Sequence, residues 1–163
     1  MVADHKETNI TLRPVTDEDR EFLLEVYAAG REIELSAVPW DEAMKRAFVE
    51  HQFTAQDAYY RQEYPSSTHE IVLFDGEPAG RIYLDRSVTE ISILDMAVIP
   101  QFRRRGIATT LVKRLQDEGQ ISQRSIRIYL ETFNPAISLF IKLSFQESSS
   151  DGISHRFDWF PDK

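Results

Sequence analysis

The 163-residue chain carries 27 acidic and 19 basic side chains and a formal net charge of -8. This acidity argues against a nucleic acid as the main partner, because proteins that bind the phosphate backbone usually present a basic face. The chain has no cysteine, which excludes a disulfide framework, a thiolate zinc site and a cysteine nucleophile. Its length fits one domain over residues 1–163, with a core large enough to need no metal or disulfide.

The N-terminal third predicts a strand followed by two helices. Residues 10–14 alternate between apolar and polar side chains, as a short strand does. Thr16 and Asp19 then form a capping box that begins a helix, and Gly30 stops it. Asp41 caps a second helical segment, which continues to about residue 62.

The rest of the chain predicts a hairpin, three further strands and two helices. Asp75-Gly76 joins the two strands of the hairpin, over 69–74 and 79–85. The other strands are predicted over 89–98, 126–130 and 153–159. One helix ends at Gly119, and Asn134 with Pro135 begins the last helix. The expected architecture is an α+β domain whose sheet is mostly antiparallel and is flanked by about four helices. One parallel pair of strands is expected beside the loop over residues 101–108, a candidate ligand-binding loop.

Neither end of the sequence nor its middle suggests a membrane segment. Residues 1–7 contain no apolar core of a signal peptide, and no apolar run approaches the ~20 residues that span a bilayer. The sequence therefore predicts a soluble, cytoplasmic protein without a membrane partner. Its oligomeric state is left open, with a homodimer as one alternative.

A basic glycine-containing turn lies between the strand over 89–98 and the helix that follows. It reads Gln-Phe-Arg-Arg-Arg-Gly-Ile-Ala over residues 101–108. Such a turn directs backbone N–H groups and the positive end of a helix dipole to one spot, which suits a phosphate or pyrophosphate. Because the whole chain is acidic, three adjacent arginines indicate an anionic ligand here, although a solvated charge run is the alternative.

Two motifs together resemble those of the GNAT N-acetyltransferase superfamily. Arg103-x-x-Gly106-x-Ala108 resembles its coenzyme A loop, and residues 134–145, Asn-Pro-Ala-Ile-Ser-Leu-Phe-Ile-Lys-Leu-Ser-Phe, resemble its C-terminal signature. The resemblance implies a GNAT-like acyl-CoA N-acyltransferase fold over about residues 10–160, with acetyl-CoA as co-substrate. Two positions depart from the pattern, since Phe140 replaces a tyrosine and Ser144 replaces a glycine.

The resemblance also implies which residues bind the co-substrate. By analogy the strand segment Met96-Ala97-Val98 binds the pantetheine arm, and the Val98 backbone contacts the thioester carbonyl. The loop backbone from residue 103 to 109 would hold the pyrophosphate. The full predicted set is Met96, Ala97, Val98, Arg103, Arg104, Arg105, Gly106, Ile107, Ala108, Thr109 and Asn134.

Three carboxylates are candidates for the base that takes the amine proton: Glu90, Asp95 and Glu131. Glu90 is the first choice, because the GNAT base is often an acid on this strand upstream of the coenzyme segment. Each of the three has a structural role as its alternative. Phe140 cannot donate a proton, so the thiolate would leave unaided or take a proton from Tyr83, Tyr129 or water.

The sequence thus predicts an acetyl-CoA-dependent N-acetyltransferase that acts on a primary amine of a small molecule or peptide. An acyl-CoA-binding regulatory module with weak catalysis is the first alternative, and a structural protein that binds an unrelated phosphate is the second. Aromatic residues between 40 and 64 are expected either to pack the core or to line an acceptor cleft. The four histidines show no metal-ligand spacing.

Overall fold

The computed structural model describes residues 9–163, so residues 1–8, where the sequence predicts no signal segment, lie outside the described part. Its seven strands are β1 (Ile10–Pro14), β2 (Thr68–Phe74), β3 (Glu77–Arg86), β4 (Glu90–Val98), β5 (Ser125–Glu131), β6 (Gln146–Ser150) and β7 (Ser154–Trp159). Its α-helices are α1 (Arg20–Gly30), α2 (Glu32–Ser36), α3 (Glu42–Glu63), α4 (Ile107–Ser122) and α5 (Ile137–Lys142). Short 3-10 turns lie at Asp17–Asp19 and Pro100–Phe102.

The strands form one mixed sheet in the order β1-β2-β3-β4-β5-β7-β6. All neighbouring strands are antiparallel except β4 and β5, which are parallel. The predicted mixed sheet with one parallel pair is therefore confirmed. No helix among residues 9–163 is both long enough and apolar enough to cross a membrane.

Local sequence signals explain where several elements begin. The Asp41 carboxylate accepts a hydrogen bond from the Met44 backbone N–H at 2.8 Å, as expected of the residue that caps α3. Asp75 and Gly76 have φ angles of 51° and 82°, the left-handed pair that a two-residue hairpin turn requires. The Asp19 carboxylate accepts from the Thr16 backbone N–H at 2.8 Å, which confirms the capping box.

Two predicted boundaries are wrong, and two elements were missed. The sequence analysis missed α2, a five-residue helix directly after α1, and the edge strand β6. Helix α4 continues past Gly119 to Ser122; a Cβ at Gly119 would lie 2.7 Å from the Arg124 carbonyl oxygen and 2.8 Å from the Trp159 ring. This glycine permits close packing and does not end the helix. Asn134 caps a turn that precedes α5, which begins three residues later.

Two apolar clusters cover opposite faces of the sheet. Helices α4 and α5 cover one face, where Leu111, Val112 and Phe140 pack on strand residues that include Ile91 and Ile126. Helices α1, α2 and α3 cover the other face over β2 to β4, through residues that include Leu23, Leu35 and Phe53. The cluster on this second face, among the described residues, contains no residue of β5, β6 or β7.

Candidate active site

The sheet opens along the seam between β4 and β5. The two strands pair from Glu90 opposite Ser125 to Ile93 opposite Ile128, and the pairing stops there. Beyond that point β4 continues along β3 as far as Val98, whereas β5 continues along β7 as far as Glu131. We call the paired part the closed end, and the unpaired segments Leu94–Val98 and 129–131 the splayed end. A splay of this kind leaves strand backbone groups without a ladder partner.

The loop that follows β4 turns sharply before it enters α4. Arg103 is extended, and its Nε donates to the Val98 carbonyl oxygen at 3.0 Å, which ties the loop to the end of the strand. Arg104 and Gly106 then have φ angles of 64° and 76°. Both values lie in the left-handed region, which costs a glycine little. Gly106 is the N-cap of α4, and its missing side chain leaves open space.

The three loop arginines differ from most arginines of this acidic chain in their partners. Within residues 9–163, none of Arg103, Arg104 and Arg105 forms an ion pair with an aspartate or glutamate. The Arg105 guanidinium lies over the rings of Phe74 and Phe102, at 5.5 and 5.3 Å from their centroids. Nine other arginines pair with carboxylates. The positive charge of the loop is therefore available to an anionic ligand.

A shallow cavity of about 170 Å³ lies directly over this loop. Its lining residues are Val98, Phe102, Arg103, Arg104, Gly106, Ile107, Ala108 and Thr109. No side chain of residues 9–163 caps the first turn of α4, so the backbone N–H groups there lack the partners that a capping side chain would supply. The cavity joins the end of β4 to these N–H groups and to Arg103 and Arg104, and this donor set suits a phosphate or pyrophosphate.

Seven of the predicted co-substrate residues line this cavity, and others lie close by. Met96 and Ala97 belong to the splayed end of β4, and Arg105 lies in the loop. A Cβ at Gly80 of β3 would lie 2.0 Å from the Ala97 carbonyl oxygen, so only glycine lets β3 approach the splayed end this closely. Asn134 lies on the loop before α5, where its side chain accepts from the Ala136 backbone N–H at 2.8 Å.

Glu90, the first-choice base, lies at the closed end. Its carboxylate contacts Arg127 and Arg156, each at 3.2 Å, so its oxygens are already engaged as acceptors. Val98 is eight residues further along β4, roughly 25 Å at the usual strand rise. This separation is far too long for direct proton transfer to an amine at the Val98 backbone.

Asp95 lies at the splayed end but has a buried partner. Its Oδ2 accepts from the Arg81 Nε at 2.7 Å, and Arg81 is only 2% exposed. Arg81 also donates to Gln56 of α3 at 2.6 Å. Removing the Asp95 carboxylate would leave a buried guanidinium short of an acceptor, so this residue has a clear structural function.

Glu131 is the least engaged of the three carboxylates. It lies at the end of β5, on the arm of the splay opposite Val98, and 62% of its side chain is exposed. Its nearest cation is Arg31, at 3.8 Å, beyond ordinary hydrogen-bond length. Arg31 follows the last residue of α1, so this carboxylate is on the α1 side of the sheet, opposite α4.

The two departures from the family pattern lie in well-defined places. Phe140 is fully buried and packs edge-on against Phe145, with ring centroids 5.0 Å apart. Ser144 has a φ of 72°, so the backbone there adopts the left-handed conformation that a glycine would adopt more easily. The second motif thus keeps its backbone shape although it lacks the glycine.

The sequence analysis missed the contribution of α3 to the splayed end. Gln56 and Tyr60 both reach β4 from this helix: Gln56 through Arg81, and Tyr60 through a hydrogen bond from its hydroxyl to the Leu94 carbonyl oxygen at 2.8 Å. Other residues of the aromatic region pack the core, among them Trp40 and Phe53. No sequence pattern marks Tyr60 as different from the neighbouring Tyr59.

The family assignment rests on a sequence match over most of the chain. The acetyltransferase (GNAT) family matches residues 33–145. The chain belongs to this family. No curated protein matches the sequence.

Solved structures share the fold at low sequence identity. The PaiA N-acetyltransferase of Thermoplasma acidophilum, in complex with coenzyme A, is 16% identical, with a TM-score of 0.69 over 93% of this chain and 98% of its own. A GNAT family acetyltransferase of Elizabethkingia anophelis with acetyl-CoA bound is 18% identical (TM-score 0.58, 93% and 98%). The ribosomal-protein-S18-alanine N-acetyltransferase of Escherichia coli is 18% identical (TM-score 0.59, 91% and 90%). These matches confirm the GNAT fold.

Proposed function

We propose that this protein is an N-acetyltransferase that moves the acetyl group of acetyl-CoA directly to a primary amine of a small molecule or peptide. The observation that carries the proposal is the arginine loop beside the splayed strand. Its three arginines have no carboxylate partner among residues 9–163, Gly106 is left-handed, and no side chain of the described residues caps the helix that follows. Acetyl-CoA is the co-substrate typical of the family, and its pyrophosphate matches the donors that this loop offers.

The splayed end of β4 supplies the contacts for the reactive part of the co-substrate. The backbone of Met96–Val98 would bind the pantetheine arm, with the Val98 N–H directed to the thioester carbonyl oxygen. A fixed backbone donor at this position stabilises the negative charge that develops on that oxygen during attack. The amine nitrogen attacks the carbonyl carbon, the C–S bond breaks, and coenzyme A leaves as a thiolate that then takes a proton.

The acceptor approaches from the α1 side, because α4 and the arginine loop lie on the opposite side of the splay. Glu131 is on the acceptor side and is the least engaged carboxylate, so we infer that it takes the amine proton, directly or through water. Asp95 is the next candidate. Glu90, preferred from sequence alone, is the least favoured because of its distance and its two arginine partners.

The thiolate needs no dedicated acid in this proposal. Phe140 occupies the position of the family's tyrosine and is fully buried, so it supplies no proton. A free thiol has a pKa of only ~8.5, and its thiolate is a fair leaving group near neutral pH. The presence of Phe140 in place of the tyrosine also favours the alternative function, an acyl-CoA-binding regulatory module in which turnover has been lost.

Binding and turnover separate the two functions. Acetyl-CoA should raise the melting temperature, since a ligand that binds only the folded state adds about 2.7 kcal/mol at a hundredfold excess over its dissociation constant. A panel of primary amines is then assayed for thiol release. Release with any amine supports the enzyme, binding without release across the panel supports the regulatory module, and no binding at millimolar acetyl-CoA rejects both.

A further inference from the structure

Strand β4 contains an extra residue at the point where it leaves β5. Tyr83 pairs with Asp95 and Leu84 pairs with Ile93, so Leu94 has no partner on β3. An inserted residue of this kind bends a strand and redirects the residues that follow it. The last pair between β4 and β5 joins Ile93 to Ile128, so the bulge marks the start of the splayed end.

The side chain that holds this bulge comes from α3. The Tyr60 hydroxyl donates to the Leu94 carbonyl oxygen at 2.8 Å, and its ring packs edge-on against Tyr83 with centroids 4.9 Å apart. Burial raises the pKa of the Tyr60 phenol well above its usual value of 10. The hydroxyl therefore keeps its proton and remains a donor throughout the neutral range.

A second contact from the same helix acts on the next residue of the strand. Gln56, one turn before Tyr60, accepts from Arg81, and Arg81 donates to Asp95. Helix α3 thus fixes two consecutive residues of β4, one through the backbone and one through the side chain. The segment that follows directly is Met96–Val98, whose backbone would contact the thioester.

We propose that Tyr60 is a positioning residue for acetyl transfer, which sets the direction of the Met96–Val98 backbone through the carbonyl of the bulge. This inference rests on the proposed function. Tyr60 itself would touch neither acetyl-CoA nor the amine. The arginine loop is tied to the strand by its own contact at Val98 and would hold the pyrophosphate without Tyr60.

The proposal predicts different effects on the rate of acetyl transfer and on the affinity for coenzyme A. Tyr60→Phe keeps the ring and removes the hydrogen bond to Leu94. The loss of alignment should lower kcat by ~10-fold or more, because small displacements of reacting groups have large effects on rate. The dissociation constant of coenzyme A should change much less than kcat, because the loop donors that would hold the pyrophosphate are unchanged.

Tyr59→Phe is the matched control. Tyr59 precedes Tyr60 in α3, is 55% exposed, and its hydroxyl has no hydrogen-bond partner within the described residues. Both variants are compared with the wild type in kcat, coenzyme A affinity and hydrogen exchange of the amides of residues 95–98. We expect lower kcat and faster exchange in Tyr60→Phe alone, since exchange reports local opening of the strand.

The outcomes distinguish this inference from the proposed function. If the wild type transfers acetyl groups and Tyr60→Phe matches Tyr59→Phe in kcat and in exchange, Tyr60 has no positioning role and the enzyme assignment stands. A purely structural role would lower the melting temperature of Tyr60→Phe without changing kcat, which also rejects the inference. If the wild type neither binds acetyl-CoA nor acetylates an amine, the proposed function fails and the role of Tyr60 fails with it.

Discussion

The two ends of the β4–β5 seam differ in what their polar groups do. At the closed end Glu90 is paired with Arg127 and Arg156, and the strands form a regular parallel ladder. At the splayed end the ladder is absent, and the neighbouring loop carries three arginines that have no carboxylate partner among residues 9–163. Charges that satisfy one another stabilise or specify a fold, whereas charges left available in a cavity point to a ligand. The comparison of the two ends therefore directs the search for a ligand to the splayed end.

The largest effect is expected from a charge placed in the arginine loop. Gly106→Glu puts a carboxylate where the co-substrate's phosphates are expected, and we predict that acetyl-CoA affinity falls by more than ~100-fold through repulsion and loss of close backbone approach. Isothermal titration measures the affinity.

Gly152→Glu is the control for the loop variant. Gly152 has a φ of 90° and open space around it, as Gly106 does, but it lies in the turn between β6 and β7. The two variants therefore impose similar backbone strain and the same added charge. Equal affinities in both would show that the loop does not bind the phosphates.

The second effect concerns the base. Glu131→Gln should lower kcat by ~10- to 100-fold near neutral pH, because the attacking amine must lose a proton. The loss should shrink as the pH rises, since the amine then deprotonates in solution. Rates measured from pH 6 to 9 test this, and a loss that is constant over that range would mean that Glu131 does not act as a base.

The third effect is the dependence of folding stability on pH through His69, which lies beside Arg81 and Tyr83. Burial, with Arg81 nearby, lowers the pKa of His69 from 6.5 to about 3. Its ring stacks on Tyr83 with centroids 4.2 Å apart. The unfolded chain binds a proton on this histidine below about pH 6.5 and the folded protein does not, so stability should fall as the pH falls through that value.

Urea denaturation at several pH values measures this contribution. We expect His69 to account for a loss of about 1 to 2 kcal/mol between pH 7 and pH 5. His69→Phe keeps the stacked ring and should remove that part of the pH dependence, whereas His51→Gln, on the exposed surface of α3, should retain it. An unchanged pH dependence in His69→Phe would show that this histidine titrates normally in the folded state.

Sequence reasoning was most successful where a single local rule decides the outcome. Asp41, the Asp75-Gly76 turn and the Arg103-x-x-Gly106-x-Ala108 loop each follow from backbone geometry within a few residues. It failed where distant elements meet. The closeness of Gly119 to Trp159 could not be read from either residue alone, and α2 was too short for a periodic signal.

The candidate site shows the same division. The arginine loop is contiguous in the chain, so a motif could predict its backbone shape. The contacts of Tyr60 with Leu94 and of Gln56 with Arg81 join residues 34 and 25 positions apart. The ranking of the three carboxylates likewise depended on where the β4–β5 ladder stops, which periodicity does not show. Only the tertiary structure shows that Glu90 lies at the closed end of the seam, away from Val98.

The smallest effect is expected from a substitution at the closed end of the seam. It tests directly whether the two ends differ in function. Glu90→Gln removes one charge from a partly exposed cluster in which Arg156 keeps Asp158 as a partner. Partly exposed ion pairs of this kind contribute about 0.5 to 1 kcal/mol. We therefore expect a slightly less stable protein, by urea denaturation, whose acetyl-transfer rate is unchanged from pH 6 to 9. A rate that drops at neutral pH and recovers at high pH would restore Glu90 as the base, and would mean that a proton travels the length of β4 through bound water.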